Sequence, residues 1–132
     1  MFLAIFYTLC FSEALNIFGG KDHDEYLGCL NCDKYNPNSI WNEYGLYGNK
    51  YNTRSIWNEY GTYGSEYSQL SPWNTYASNP PVIVDKDGGF YGYLTVNKYN
   101  NKQADFNLAL LLYKYYELIR DDVSKWYDKI FE

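Results

Sequence analysis

The sequence has few of the residues on which catalytic and metal sites usually depend. It contains one histidine, one methionine and three cysteines among 132 residues. His23 lies between Asp22 and Asp24, but a catalytic triad also needs a nucleophile beside an oriented base, which flanking carboxylates do not supply. We expect His23 to be an exposed turn residue. We expect the protein to be no enzyme and to hold no cofactor or metal.

Positive charge is also scarce. Eleven Lys and Arg residues face sixteen Asp and Glu residues, so the formal net charge is −5, and no basic block occurs. A protein that binds the phosphate backbone needs a positive footprint. The composition therefore predicts no nucleic-acid partner.

Long hydrophobic runs are absent as well. The apolar run at residues 2–11 is shorter than the roughly 20 residues that a membrane span needs. Its length is typical of a signal peptide, and Ser12 and Ala14 provide small residues for cleavage after Ala14. We predict a signal peptide at residues 1–14, no membrane span in the mature chain, and a periplasmic or secreted location. No Lys or Arg precedes the run, so a buried N-terminal element stays open as an alternative.

Export would leave Cys29 and Cys32 as an even pair in an oxidising compartment, which favours a structural disulfide. Redox activity would need a helix N-terminus to lower the thiol pKa. A structural zinc site would need a second pair of ligands. Both remain weaker alternatives.

Aromatic residues, in contrast, are abundant, with 17 Tyr, 4 Trp and 7 Phe. Many recur with a 16-residue period, which indicates a repeat architecture. The series are Ser39, Ser55 and Ser71; Trp41, Trp57 and Trp73; Asn42, Asn58 and Asn74; and Tyr44, Tyr60 and Tyr76. The serine of each unit can cap a helix and the following glycine can end it. We therefore predict about three short turn-helix repeats at residues 35–79.

Related segments flank the repeats. The string YLGCLNCDKYN at residues 26–36 matches FYGYLTVNKYN at residues 90–100, and the shift between them is four repeat periods. Turn signals precede each match. We predict two β-hairpins, at residues 15–31 and 82–97, which bracket the repeats. Asp85 and Asp87 belong to the second turn and not to a calcium loop, because Val96 occupies the twelfth position, where such a loop has glutamate.

The C-terminal residues 101–132 predict an amphipathic helix packed on the repeat domain at residues 15–100. It is one long helix, or two joined at Asp121 and Asp122, and Asn100 with Gln103 is a candidate capping box. The apolar stripe consists of Leu108, Leu112, Tyr115, Ile119, Val123, Trp126 and Ile130. The predicted fold class is therefore α+β.

Several strings, among them IFGGKDHDEYLGCLNC, SIWNEYG, SPWNTYASNPPVIVD and GFYGYLTVN, resemble a family of small exported bacterial proteins and tails of larger ones, with no established activity. The resemblance covers roughly residues 17–97. It implies a bacterial envelope or secreted location. It supplies no catalytic residues, and the C-terminal helix lies outside it.

Two functions compete. Aromatic rings bind sugar faces or quaternary ammonium groups, so the first expectation is a non-catalytic module for an envelope glycan or peptidoglycan. The candidate ligand-binding residues are Trp41, Tyr44, Trp57, Tyr60 and Trp73. The same rings could instead fill the core of stacked repeats.

The rival function is a protein-interaction or assembly module. Leu110, Tyr113 and Phe131 on the other side of the C-terminal helix would then contact a partner or a second copy. Glu43 and Glu59 recur at equivalent positions, and the repetition accounts for them without catalysis.

Overall fold

The computed structural model describes residues 13–132. The predicted signal peptide therefore lies outside the described residues, except for residues 13 and 14. The strands are β1 Asn16–Gly19, β2 Glu25–Cys29, β3 Val82–Val84 and β4 Phe90–Tyr93, and the helices are α1 Asn107–Ile119 and α2 Val123–Phe131. This mixture confirms the α+β class. In residues 13–132 none of the helices is both long and apolar enough to span a bilayer.

The four strands form one antiparallel sheet in the order β2-β1-β3-β4. At its centre Ile17 of β1 pairs with Ile83 of β3. In the β1–β2 pair, Ile17 lies opposite Gly28, whose φ is 110°, and a bulge follows Ile17. In the β3–β4 pair, Ile83 lies opposite Gly92, whose φ is 113°, and a bulge follows Ile83. The sheet thus consists of two similar halves related by an approximate two-fold axis, in line with the correspondence between the two flanking strings in the sequence.

The repeats are built from successive turns. Residues 35–79, all of which the structure describes, contain no helix, so the predicted helical turns are wrong. Every third residue in most of each unit is Asp, Asn or Ser, and its side-chain oxygen accepts the backbone N–H two residues ahead. The acceptors are Asp33, Asn36, Ser39, Asn42, Asn49, Asn52, Ser55, Asn58, Ser65, Ser68, Ser71 and Asn74.

These side chains explain why a helix does not form. Asp, Asn and Ser offer nearby backbone N–H groups a partner that competes with the helical carbonyl. One such residue every three positions favours a turn at each step. Most steps add a turn bond from residue i+3 to the carbonyl of residue i, as from the Ser55 N–H to Asn52 at 3.1 Å. The three-residue spacing was the signal that distinguished turns from helices.

A glycine allows a close backbone approach in each of the first two repeat units. A Cβ at Gly48 or Gly64 would collide with the carbonyl oxygen of Asn42 or Asn58. The chain can cross its own backbone this closely only where no side chain is present. The chain therefore folds back tightly on the segment six residues earlier in each of these two units.

The stack is joined through tryptophan. Trp41, Trp57 and Trp73 are 0%, 1% and 3% exposed. The ring centroids of neighbouring tryptophans are 5.8 Å apart at both steps. Each indole Nε1–H donates at 2.7 Å to a backbone carbonyl of the preceding layer, at Leu30, Ile40 and Ile56 respectively. Each unit is therefore bonded to the unit before it.

The two helices cover this stack. Phe131 of α2 lies 5.6 Å from Trp41, and Tyr116 of α1 stacks parallel on Trp73 at 4.5 Å, measured between ring centroids. The helices separate at residues 120–122. Asp122 caps α2, because its carboxylate accepts the Lys125 N–H at 3.3 Å. Of the two alternatives that the sequence left open, the structure has the pair of helices. The apolar stripe faces the core at Leu108, Leu112, Ile119 and Val123.

The candidate capping box at Asn100 and Gln103 is wrong, because α1 begins only at Asn107. Asn100 accepts the Lys102 N–H at 2.9 Å, and the Gln103 N–H donates to the Asn100 carbonyl at 3.0 Å. These residues form another turn of the repeat type. The side-chain oxygen of Asn100 therefore stabilises a turn here, and no helix begins at this residue.

The disulfide between Cys29 and Cys32 is present, with Cα atoms 5.5 Å apart. Cys29 is buried at the end of β2. The Ile40 N–H donates to the Cys29 carbonyl at 3.0 Å. The disulfide therefore fixes the junction between the sheet and the first repeat unit.

Replacement of Trp57 by Phe tests the bonded stack. The substitution leaves the buried Ile40 carbonyl without its donor and creates a cavity, so we expect a loss of about 2–4 kcal/mol in the free energy of unfolding. Equilibrium urea unfolding followed by circular dichroism measures it. Tyr60→Ala is the matched control, because Tyr60 is 90% exposed, and it should change stability by less than about 0.5 kcal/mol. Equal stability of the two variants would contradict the stack.

Candidate functional site

Seven tyrosine side chains project into solvent and are 80–90% exposed. By sequence position they fall into two rows with the repeat period: Tyr35, Tyr51 and Tyr67 in the first row, which Tyr99 extends two periods further on, and Tyr44, Tyr60 and Tyr76 in the second. The backbone N–H of each donates to the Asp, Asn or Ser two residues earlier. The turns thus fix the main chain under each ring, while the ring itself buries almost no area.

The candidate ligand-binding residues separate into two groups. Tyr44 and Tyr60 lie in the exposed rows. Trp41, Trp57 and Trp73 lie in the core, where no ligand in solvent can reach their faces.

The sequence contained a signal for this division that the repeat pattern alone does not show. Trp41 follows Ile40, which gives two adjacent apolar side chains, whereas Tyr44 follows Glu43 and Tyr51 follows Lys50. A ring beside a charged neighbour is better placed at the surface. The same signal, Lys50 before Tyr51 and Glu66 before Tyr67, adds these two tyrosines to the surface candidates.

The exposed rows border two equivalent grooves. The repeat-1 groove has a volume of about 320 Å³, and its lining includes Glu43, Tyr44, Asn49, Lys50, Tyr51, Arg120 and Asp121. The repeat-2 groove has a volume of about 350 Å³ and is lined by Glu59, Tyr60, Ser65, Glu66, Tyr67 and Arg120. Apart from Arg120 and Asp121, these residues correspond one to one at a shift of one repeat period. Each groove therefore presents two tyrosines, one from each row, and a carboxylate.

Arg120 borders both grooves from the turn between the helices. Its Nη2 lies 3.2 Å from the Glu59 carboxylate, and its side chain is only 14% exposed. The guanidinium carbon lies 5.9 Å from the ring centroid of Tyr116, whose hydroxyl donates to Glu66 at 3.3 Å. The helices therefore position two carboxylates of the repeat-2 groove.

Two charged sequence candidates have structural roles. His23 is half-buried rather than exposed, because its Nε2 lies 2.9 Å from the Pro80 carbonyl oxygen, just ahead of β3. Asp85 accepts the Asp87 and Gly89 N–H groups and the Tyr91 hydroxyl. These hydrogen bonds, of which the one from the Gly89 N–H has the largest effect, hold the pKa of the Asp85 carboxyl below its usual range. Asp85 thus stabilises the β3–β4 turn.

The surface predicted for a protein partner is smaller than expected. Tyr113 is half-buried and donates its hydroxyl to the Ala104 carbonyl at 2.7 Å, and Phe131 packs on Trp41. Leu110 stays exposed, as does Leu118. Single exposed leucines are common on soluble proteins. The predicted interaction through this helix stays a prediction that no structural feature favours.

No protein-family model, curated protein or solved structure matches this chain. The geometry of the grooves and the exposure of the tyrosine rings therefore carry the functional evidence.

Alkaline pH tests the burial of tyrosines beneath the surface. Burial, more than the nearby Glu66, raises the pKa of Tyr116 to about 12, and burial also raises the pKa of Tyr26 to about 12. Both stay protonated in the folded state after they ionise in the unfolded chain near pH 10. Their contribution to stability is complete below pH 10 and is lost between about pH 10 and 12.

We therefore expect the free energy of unfolding to fall across this range. The fall should be shallower in Tyr116→Phe, whose ring cannot ionise. Urea unfolding at successive pH values measures the slope, and a slope unchanged by Tyr116→Phe would contradict the assignment.

Proposed function

We propose that this protein is a non-catalytic binding module that holds an envelope glycan against its two rows of exposed tyrosines. The observation that carries the proposal is the repeated placement of seven rings, each 80–90% exposed, on a rigid set of turns. Large apolar rings in contact with water are unfavourable unless something covers them, and periodic rows of them mark an interaction surface.

The chemistry of the grooves suits a sugar chain. A tyrosine ring offers an apolar face to the C–H groups of a pyranose and a hydroxyl to its polar edge. Glu43 and Glu59 lie beside the rings, where carboxylates can accept hydrogen bonds from sugar hydroxyls. A regular series of equivalent grooves fits a polymer that itself repeats, and binding at several grooves adds avidity.

Hydrolysis of the glycan is not part of the proposal. A glycosidase holds two carboxylates on either side of one bond. Glu43 and Glu59 line separate grooves, and Glu59 is paired with Arg120 at 3.2 Å. Their repetition follows from the period of the sequence.

The proposed location is the bacterial periplasm or cell exterior. The Cys29–Cys32 disulfide supports it, because stable disulfides are typical of oxidising compartments. The resemblance to exported bacterial proteins points to the same location.

Retention on purified bacterial cell-wall sacculi tests the proposal with the full chain. We expect the wild type to sediment with the sacculi and Tyr44→Ala/Tyr60→Ala to bind roughly tenfold more weakly, because each stacked ring contributes about 0.5–1.5 kcal/mol. Both tyrosines are exposed, so the double variant should remain folded, which near-ultraviolet circular dichroism verifies.

Two further variants complete the design. Tyr44→Phe/Tyr60→Phe keeps the rings and should keep most of the binding. Leu110→Ala/Leu118→Ala removes exposed apolar side chains of α1 and should leave retention unchanged. Equal retention of wild type and the Tyr→Ala double variant would contradict glycan binding through the rows, and loss of retention only on changing the leucines would favour the helix surface.

A further inference from the structure

The first tyrosine row shows how an ammonium group sits on these rings. Lys34 precedes Tyr35, Lys50 precedes Tyr51, and Lys98 precedes Tyr99. In each pair the lysine Nζ lies 5.5–5.6 Å from the centroid of the following ring. That distance is within the range of a cation–π interaction. Three of the four rings in this row therefore have a lysine ammonium within cation–π distance.

Tyr67 is the exception in the row. The residue before it is Glu66, and in the described part of the chain no Lys or Arg lies over its ring. The ring is 90% exposed. Its face is thus open at the position that an ammonium group occupies in the repeat-1 groove.

The formal charge of the repeat-2 groove is also more negative than that of the repeat-1 groove. Glu43 and Asp121 balance Lys50 and Arg120 in the repeat-1 groove, so the formal sum is −2 + 2 = 0. Glu59 and Glu66 outnumber Arg120 in the repeat-2 groove, and the sum is −2 + 1 = −1. The exchange of Lys50 for Glu66 both removes the internal cation and adds a carboxylate that can attract an external one.

Arg120 does not lie over the Tyr67 ring. Its guanidinium bonds to Glu59 and lies beside the Tyr116 ring, at the helix side of the groove. The Tyr116 hydroxyl holds Glu66 from the same side. Both contacts orient the carboxylates, and the Tyr67 ring stays exposed in the same groove as Tyr60.

We infer that the repeat-2 groove binds an alkylammonium group of the ligand, placed on Tyr67 and held by the carboxylates of Glu59 and Glu66. This inference rests on the proposed function and assigns the ligand a positive charge at one subsite. A free amino group on a sugar and a quaternary ammonium substituent share this chemistry. The repeat-1 groove, where the Lys50 ammonium already lies within cation–π distance of Tyr51, takes a neutral part of the ligand.

Calorimetric titration of the full chain with matched oligosaccharides tests the inference. Hexaglucosamine carries free amines, and its hexa-N-acetyl counterpart is neutral but otherwise alike. At about pH 6 and low salt we expect the amine form to bind roughly tenfold more tightly. Added salt should reduce that preference, because the groove is open to solvent. Tetramethylammonium alone should bind weakly with one site per chain if the quaternary group is the source.

Reciprocal exchange of the two residues supplies the matched variants. Glu66→Lys should place an ammonium over Tyr67 and abolish the preference for the amine form. Lys50→Glu should remove the ammonium beside Tyr51 and raise the number of ammonium sites per chain from one to two. Both positions are partly or fully exposed, so neither exchange should unfold the protein, and circular dichroism verifies this.

The outcomes separate the two proposals. Equal affinity for the amine and N-acetyl oligomers, together with retention on sacculi, would overturn the ammonium site and leave glycan binding intact. Failure of both oligomers and of sacculi to bind would overturn both proposals. A preference for the amine form that persists in Glu66→Lys would show that the ligand ammonium binds elsewhere on the protein. That result would also overturn the assignment of the ammonium site to Tyr67.

Discussion

The hydrogen bond from the indole of each repeat tryptophan to a carbonyl of the preceding layer is the constraint on which the rest of the fold depends. Three such bonds of 2.7 Å join Leu30, Ile40 and Ile56 to the units that follow them. A single repeat unit is too short to bury its own apolar surface, so its stability comes from its neighbours. Burial of the indole without a partner for its N–H would be costly, and among residues 13–132 no buried side-chain nitrogen or oxygen lacks one.

This constraint divides the aromatic residues between structure and surface. Trp41, Trp57 and Trp73 are buried in the stack, and α1 and α2 cover it through Tyr116 and Phe131. Seven other tyrosines are displayed on the turns, and the repeat that makes the stack regular makes their rows regular too. Small changes can then vary the surface without altering the core, as the exchange of Lys50 for Glu66 shows. The fold thus separates the residues that hold it together from those that face a ligand.

Much of this could be predicted from sequence, and each failure has a physical cause. The period, the position of the strands, the helix break near Asp121 and the disulfide each depend on local patterns that tertiary packing reinforces. The helical turns were wrong because the side chains of Asn and Ser satisfy the backbone locally at every third position. The role of tryptophan could not be decided from the repeat alone, because core and ligand face both need aromatic rings. Only the neighbouring residue, Ile40 for Trp41 and Glu43 for Tyr44, distinguished inside from outside.

Hydroxyl-radical footprinting with residue-level mass spectrometry would examine that division of the aromatic residues in a single experiment. Both ring types react readily with hydroxyl radicals when solvent reaches them. The structure predicts rapid oxidation of Tyr44, Tyr60 and Tyr67 and strong protection of Trp41 and Trp57 in the native chain, with protection lost in denaturant. Oxidation of the two tryptophans as fast as the tyrosines would contradict the buried stack and return the tryptophans to the surface as the ligand face.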